Sequence, residues 1–116
     1  MKTSVTRTFR FEAAHQLPWH AGKCRHLHGH SYRLEVTVCG PVGPHGIVVD
    51  FADVAGVVER EVVARYDHRY LNDLMDNPTA ELMAHQIWKT LEATGLPVAR
   101  IRLWETEDSS VEVSEG

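Results

Sequence analysis

Two stretches of alternating apolar and polar side chains constrain this chain more than any other feature. From Val5 to Ala13 the odd positions Val5, Phe9, Phe11 and Ala13 are apolar, and Thr6, Thr8, Arg10 and Glu12 lie between them. Arg7 breaks the apolar face near its start. From Ser31 to Gly40 the even positions Tyr32, Leu34, Val36 and Val38 alternate with Arg33, Glu35 and Thr37. Successive side chains of a strand point to opposite faces, so each stretch predicts a strand with one buried face. Gly40-Pro41 and Gly43-Pro44 then mark a turn-rich connection.

The period changes after that turn. Phe51, Val54, Ala55, Val58 and Val62 recur at helical spacing, with Asp50 as N-cap and Asp53 three residues later. A second helix is predicted from Asn77-Pro78-Thr79, with Ala80, Met83, Ala84, Ile87, Trp88 and Leu91 on one face. Gly95 and Pro97 end it. Val98–Trp104 reads as a strand with Ala99, Ile101 and Leu103 on one face and Arg100 and Arg102 on the other. Val111 and Val113 suggest a short final strand. The order ββααββ predicts an α+β domain, an antiparallel sheet with two helices on one face. The 116 residues make a single domain, 1–116. Four strands leave two open edges, which favours pairing with further copies of the chain.

Composition narrows the function. Hydrophobic residues are 43% and charged residues 24%, as in ordinary globular proteins. A net charge of −4 argues against a general nucleic-acid binder. No apolar run approaches the ~18 residues of a membrane span. Met1–Arg7 has no apolar segment of the signal-peptide kind, so the expected location is cytoplasmic. Two cysteines, Cys24 and Cys39, do not make a disulfide scaffold.

Eight histidines are the unusual count. His15 continues the apolar parity of the first strand, and His28 and His30 continue that of the second. Gly29 between them permits close backbone approach. Three imidazoles converging from adjacent strands suit a tetrahedral Zn²⁺ with one open position. The competing reading is three hydrogen-bonded histidines without metal. His20, His26, His45 and His85 lie in loop or exposed helix sequence and read as surface residues.

Cys24 lies four residues before His28 and between Lys23 and Arg25. Positive charge around a thiol suits a base or nucleophile; a fourth metal ligand and an inert loop thiol are the alternatives. Asp67-His68 can form a relay pair, or simply end the first helix. Glu105 continues the inward parity of Ala99, Ile101 and Leu103. A carboxylate there must be paired or bind ligand unless it turns to water, and it could accept two N–H groups of an amino-amide heterocycle.

Six motifs then fall in register: Phe11-Glu12-Ala13-Ala14-His15, Cys24-x-x-x-His28-Gly29-His30, Asp50-Phe51, Asp67-His68-x-Tyr70-Leu71-Asn72, Asn77-Pro78-Thr79-x-Glu81 and Glu105-Thr106. Together they resemble the 6-pyruvoyl-tetrahydropterin synthase / 6-carboxy-tetrahydropterin synthase family over nearly the whole chain. The resemblance implies a T-fold, with sheets joined edge to edge into an oligomeric barrel, commonly a hexamer of two stacked trimers. It implies that His15, His28 and His30 bind zinc and that Cys24 is catalytic, with Asp67 and His68 as partners that can come from the neighbouring subunit. It implies that Glu105 anchors a pterin, with Thr79 and Glu81 assisting. The implied substrate is 7,8-dihydroneopterin triphosphate.

The three-residue gap between Cys24 and His28 resembles the bacterial carboxy-tetrahydropterin enzymes of queuosine and other 7-deazapurine pathways. Pyruvoyl synthases usually have a longer gap. Relatives with Glu at the cysteine position make a folate precursor, and Cys24 argues against that branch. Lys23, Arg25 and His26, with Arg33 further along, are the expected triphosphate contacts; relatives often carry Arg where His26 stands. The alternatives are a 6-pyruvoyl-tetrahydropterin synthase and a non-catalytic zinc- or pterin-binding protein of the same fold.

Overall fold

Both alternating segments form strands, and each extends as far as its histidines. The computed structural model describes residues 1–115. Strand β1 (Thr3–His15) pairs antiparallel with β2 (His28–Gly40). The register sets His15 opposite His28 and Ala13 opposite His30. β4 (Val98–Thr106) pairs with the other side of β2, and β5 (Ser109–Ser114) with β4.

A fifth strand, absent from the sequence pattern, completes the sheet. β3 (Arg69–Tyr70) runs parallel to Ala13 and Ala14 of β1, and the spatial order is β3-β1-β2-β4-β5. Two residues are too few to display a period. All other strand pairs are antiparallel. β3 covers only the end of β1, so most of the outer edge of β1 and all of the outer edge of β5 lack a strand partner among the described residues.

The first helical segment has three parts: α1 (Phe51–Val58), a π-helical stretch (Glu59–Val63) and a final turn, α2 (Ala64–Tyr66). Asp50 caps α1 by accepting from the Ala52 amide at 2.8 Å. Val54, Val58, Val62 and Tyr66 are buried, a four-residue repeat. Four residues overshoot one α-helical turn by ~40°, so a pure α-helix would rotate this row off the sheet. The wider π turn brings it back. Phe51, expected on this apolar face, is 53% exposed. It opens the helix and lines a shallow cavity with Val42, Ile47 and Val48 of the incoming loop and with Thr3 and Val5 at the start of β1.

α3 (Ala80–Ala93) follows its sequence pattern. Thr79 caps it by accepting from the Leu82 amide at 3.2 Å. Ala80, Met83, Ala84, Ile87 and Leu91 are buried against Leu34, Val36, Ile101, Leu103 and neighbouring core side chains. Each large apolar side chain so buried stabilises by about 1.5–3 kcal/mol. The helices cover one face of the sheet. Arg33 and Trp104 lie on the other, with the guanidinium 4.4 Å from the indole centroid. Among the described residues no helix is long and apolar enough to cross a membrane.

Candidate metal centre and adjoining cavity

The helix-facing ends of β1 and β2 carry the three predicted imidazoles, and the register brings them together. Their closest ligand atoms all lie within 4.8 Å of one another. His15 is fully buried, and its Nδ1 lies 2.8 Å from the carbonyl of Pro78. His28 Nδ1 lies 2.7 Å from the carbonyl of His26. A carbonyl only accepts, so both Nδ1 atoms carry a proton, and in the neutral rings both Nε2 atoms present lone pairs. Those Nε2 atoms lie 3.0 Å apart.

His30 Nε2 is buried and has no hydrogen-bond partner. Glu105 Oε1 lies 3.5 Å away, an ion-pair contact only if the ring is protonated. Burial lowers the pKa of His30; the Glu105 carboxylate opposes that shift, and His15 and His28 add to it. A neutral imidazole with an orphaned nitrogen, beside two facing lone pairs, is a metal-ligand arrangement. The donor set fits the three-histidine metal site read from parity. Tyr32 packs beneath, its ring 5.5 Å from that of His30. Burial, followed by the Glu105 charge, raises its pKa and keeps the phenol neutral.

Glu105 joins this cluster to a cavity of about 340 Å³. Cys24, Thr79, Glu81 and Glu105 line it, four residues brought together from three separate segments. Trp19 and His20 line it too. Its loop sequence predicts a surface position for His20, but the residue is half-buried on the loop that carries Cys24. The only signal for either was their place between His15 and Cys24. His26, His45 and His85 are exposed, as expected.

The basic candidates stand apart. Lys23 and Arg25 form a short 3-10 turn, are exposed, and are not in the cavity wall. Arg33 has the parity opposite to His28 and His30, so it lies on the helix-free face, stacked on Trp104 and away from the imidazoles.

Asp67 and His68 also lie elsewhere. His68 lines an open groove with Glu12, Ser31, Tyr70 and His30 of the metal cluster, and does not line the Cys24 cavity. The pair itself is built. His68 has φ 59°, a left-handed conformation that returns its ring toward the preceding carboxylate. Its Nδ1 donates to Asp67 Oδ2 at 3.0 Å. Asp67 Oδ1 accepts from the Glu12 amide at 2.9 Å. That amide, and then the His68 ring, holds the Asp67 carboxyl below its ordinary range.

A two-layer α+β fold with three histidines close enough to hold a metal, beside a carboxylate-lined cavity, places the chain in the class of candidate metal-site proteins. Comparison with known proteins resolves it further. The family model described as 6-pyruvoyl tetrahydropterin synthase matches residues 4–116, and the chain belongs to that family of pterin lyases. A putative 6-carboxy-5,6,7,8-tetrahydropterin synthase of Archaeoglobus fulgidus is 42% identical over 89% of this chain and 88% of its own length. The 6-carboxy-5,6,7,8-tetrahydropterin synthase of Synechocystis is 43% identical over 80% of this chain and 78% of its own. The dihydroneopterin monophosphate aldolase of Pyrococcus furiosus is 38% identical over 97% and 98%. The structure of Caenorhabditis elegans 6-pyruvoyl tetrahydropterin synthase superposes with a TM-score of 0.89 at 24% identity, covering 100% of this chain and 97% of that one. This likeness supports the T-fold.

Proposed function

We propose that this chain is a zinc-dependent 6-carboxy-5,6,7,8-tetrahydropterin synthase, converting 7,8-dihydroneopterin triphosphate and water to 6-carboxytetrahydropterin, acetaldehyde and triphosphate. The observation that carries the reading is the meeting of Cys24, Thr79, Glu81 and Glu105 in one cavity contiguous with the three histidines. We place the reaction in the cytoplasm, in the supply of queuosine or another 7-deazapurine.

The chain's own residues divide the work. His15, His28 and His30 would hold the zinc, which when bound supplies Lewis acidity toward the substrate side-chain hydroxyls. The Glu105 carboxylate accepts N–H groups from the pterin edge, with Thr79 and Glu81 beside it. Cys24 Sγ takes and returns a proton. Asp67 holds His68 Nδ1–H, which leaves Nε2 to exchange a second proton. His68 shares a groove with His30 that is separate from the Cys24 cavity, and in this reading the pair serves the Cys24 of an adjoining copy. Edge pairing of β5 with the uncovered edge of β1 would close such copies into a ring, two of which stack as a hexamer. Lys23 and Arg25, exposed beside Cys24, meet the triphosphate outside the cavity.

The test incubates zinc-loaded protein with 7,8-dihydroneopterin triphosphate and identifies the products by mass spectrometry. Equimolar acetaldehyde and 6-carboxytetrahydropterin are expected. A pyruvoyl product without acetaldehyde would move the protein to the other branch of the family. One relative favours a second reading, aldol cleavage of dihydroneopterin monophosphate, and turnover of that compound alone would select it.

A further inference from the structure

Trp19 is 64% exposed, a costly position for the largest apolar side chain, yet it is tightly held. Its indole N–H donates to Asn77 Oδ1 at 2.9 Å. Its ring lies tilted against the His20 imidazole with centroids 5.7 Å apart. The loop beneath is closed on itself: the Leu17 amide donates to the Cys24 carbonyl at 2.8 Å, and the His20 amide to the Leu17 carbonyl at 2.9 Å. Trp19 therefore ties the Cys24 loop to the segment that leads into Thr79 and α3. Its polar edge is satisfied, and an apolar face remains on the wall of the same cavity.

We propose that Trp19 is the stacking platform of this cavity, packing on the face of a flat heteroaromatic bicycle whose N–H edge is taken by the carboxylates. The two kinds of contact select together. Carboxylates alone would accept any paired N–H donors, and an indole alone would accept any flat ring. A hydrogen-bonded indole is also pre-oriented, so little side-chain freedom is lost on binding. This inference rests on the pterin reading above, and deepens it by assigning how the ring is gripped.

The probe is neopterin, an oxidised pterin without phosphate, titrated by calorimetry into the zinc-loaded full chain. Wild type is compared with Trp19→Phe, Trp19→Leu and Trp19→Ala. Loss of stacking should weaken binding about 5- to 100-fold in the Leu and Ala variants, with Phe within about threefold of wild type. Trp19→Phe should also lose the larger share of the indole quenching that neopterin causes in wild type. Affinity unchanged in Trp19→Ala, or Leu equal to Phe, overturns the platform while leaving the proposed reaction standing. Dissociation of the oligomer by Trp19→Ala would place the indole at a subunit contact and overturn it as well. Failure of wild type to bind neopterin overturns the pterin reading, and the platform with it.

Discussion

His15 and His28 turn their Nε2 atoms toward each other at 3.0 Å while each commits its Nδ1–H to a backbone carbonyl. The two facing atoms are therefore both acceptors, an arrangement that repels unless a cation or a shared proton lies between them. Strand register produces it: the two residues are direct cross-strand partners. His30 adds a third nitrogen from the next inward position of β2.

Replacing His28 by Ala should abolish metal retention, from about one ion per chain to background, because two nitrogens no longer make a site. His26→Ala should retain the metal, since His26 contributes its backbone carbonyl rather than its ring. Elemental analysis of the purified variants decides this. Chelation should lower the melting temperature of wild type and leave His28→Ala unmoved, because metal bound only to the folded chain adds stability by mass action.

Asp67 carries a pH signature. Its folded pKa lies below the ordinary carboxylate value because the Glu12 amide and His68 favour the charged form. The unfolded chain thus binds the proton more readily, and stability rises with pH through that window. The contribution is complete above the unfolded value of about 3.9 and is lost as pH falls through the folded one. Asp67→Asn should flatten the rise of urea midpoint as pH is raised toward about pH 4. An unchanged slope would show that the pair carries no net charge preference.

Much of the site was legible because period two survives to the strand ends. Parity alone puts His15, His28, His30 and Glu105 on one side of the sheet, and the register sets His15 opposite His28 with Glu105 against His30. α3 was equally plain: Ala80, Met83, Ala84, Ile87 and Leu91 bury as their spacing indicates. What parity cannot carry is where a loop returns. Trp19 and His20 reach the cavity through turns between Leu17 and Cys24, which have no period. Proximity along the chain suggests Arg33 as a triphosphate contact, but alternation puts it on the opposite face. Phe51 matched the helical spacing, but a first-turn residue can leave the face its spacing suggests. The π stretch was hidden because a four-residue repeat reads as helix whichever way the turn is widened.

Thr79 has two roles that one pair of variants separates. Its hydroxyl caps α3 through the Leu82 amide, and it also lines the cavity. Thr79→Ala should cost about 1 kcal/mol of stability, read from denaturant midpoints at fixed protein concentration. Thr79→Ser keeps the cap and should restore most of that loss. If the hydroxyl also meets substrate, Ser should restore KM in parallel; a restored midpoint with KM still raised would place the role in the methyl group.

Cys24 and His68 line different grooves of one subunit, and Asp67 holds the His68 ring. Cys24→Ala and Asp67→Asn should each reduce turnover by about 10²–10⁴-fold, the range for loss of a proton-transfer group. A site built from two copies responds to mixing in a way that a self-contained site cannot. When the two inactive variants are unfolded together and reassembled, half the cavities hold an intact Cys24, and half of those face a neighbour with an intact Asp67. About a quarter of wild-type activity should return, as random assembly of a symmetric ring requires. Subunits that each held a complete site would return none, because every chain carries one defect. Native mass spectrometry, which separates the two variants by the mass of the sulfur atom that Cys24→Ala removes, establishes that hybrids formed, so the absence of activity in true hybrids would place Asp67 and His68 outside the reaction.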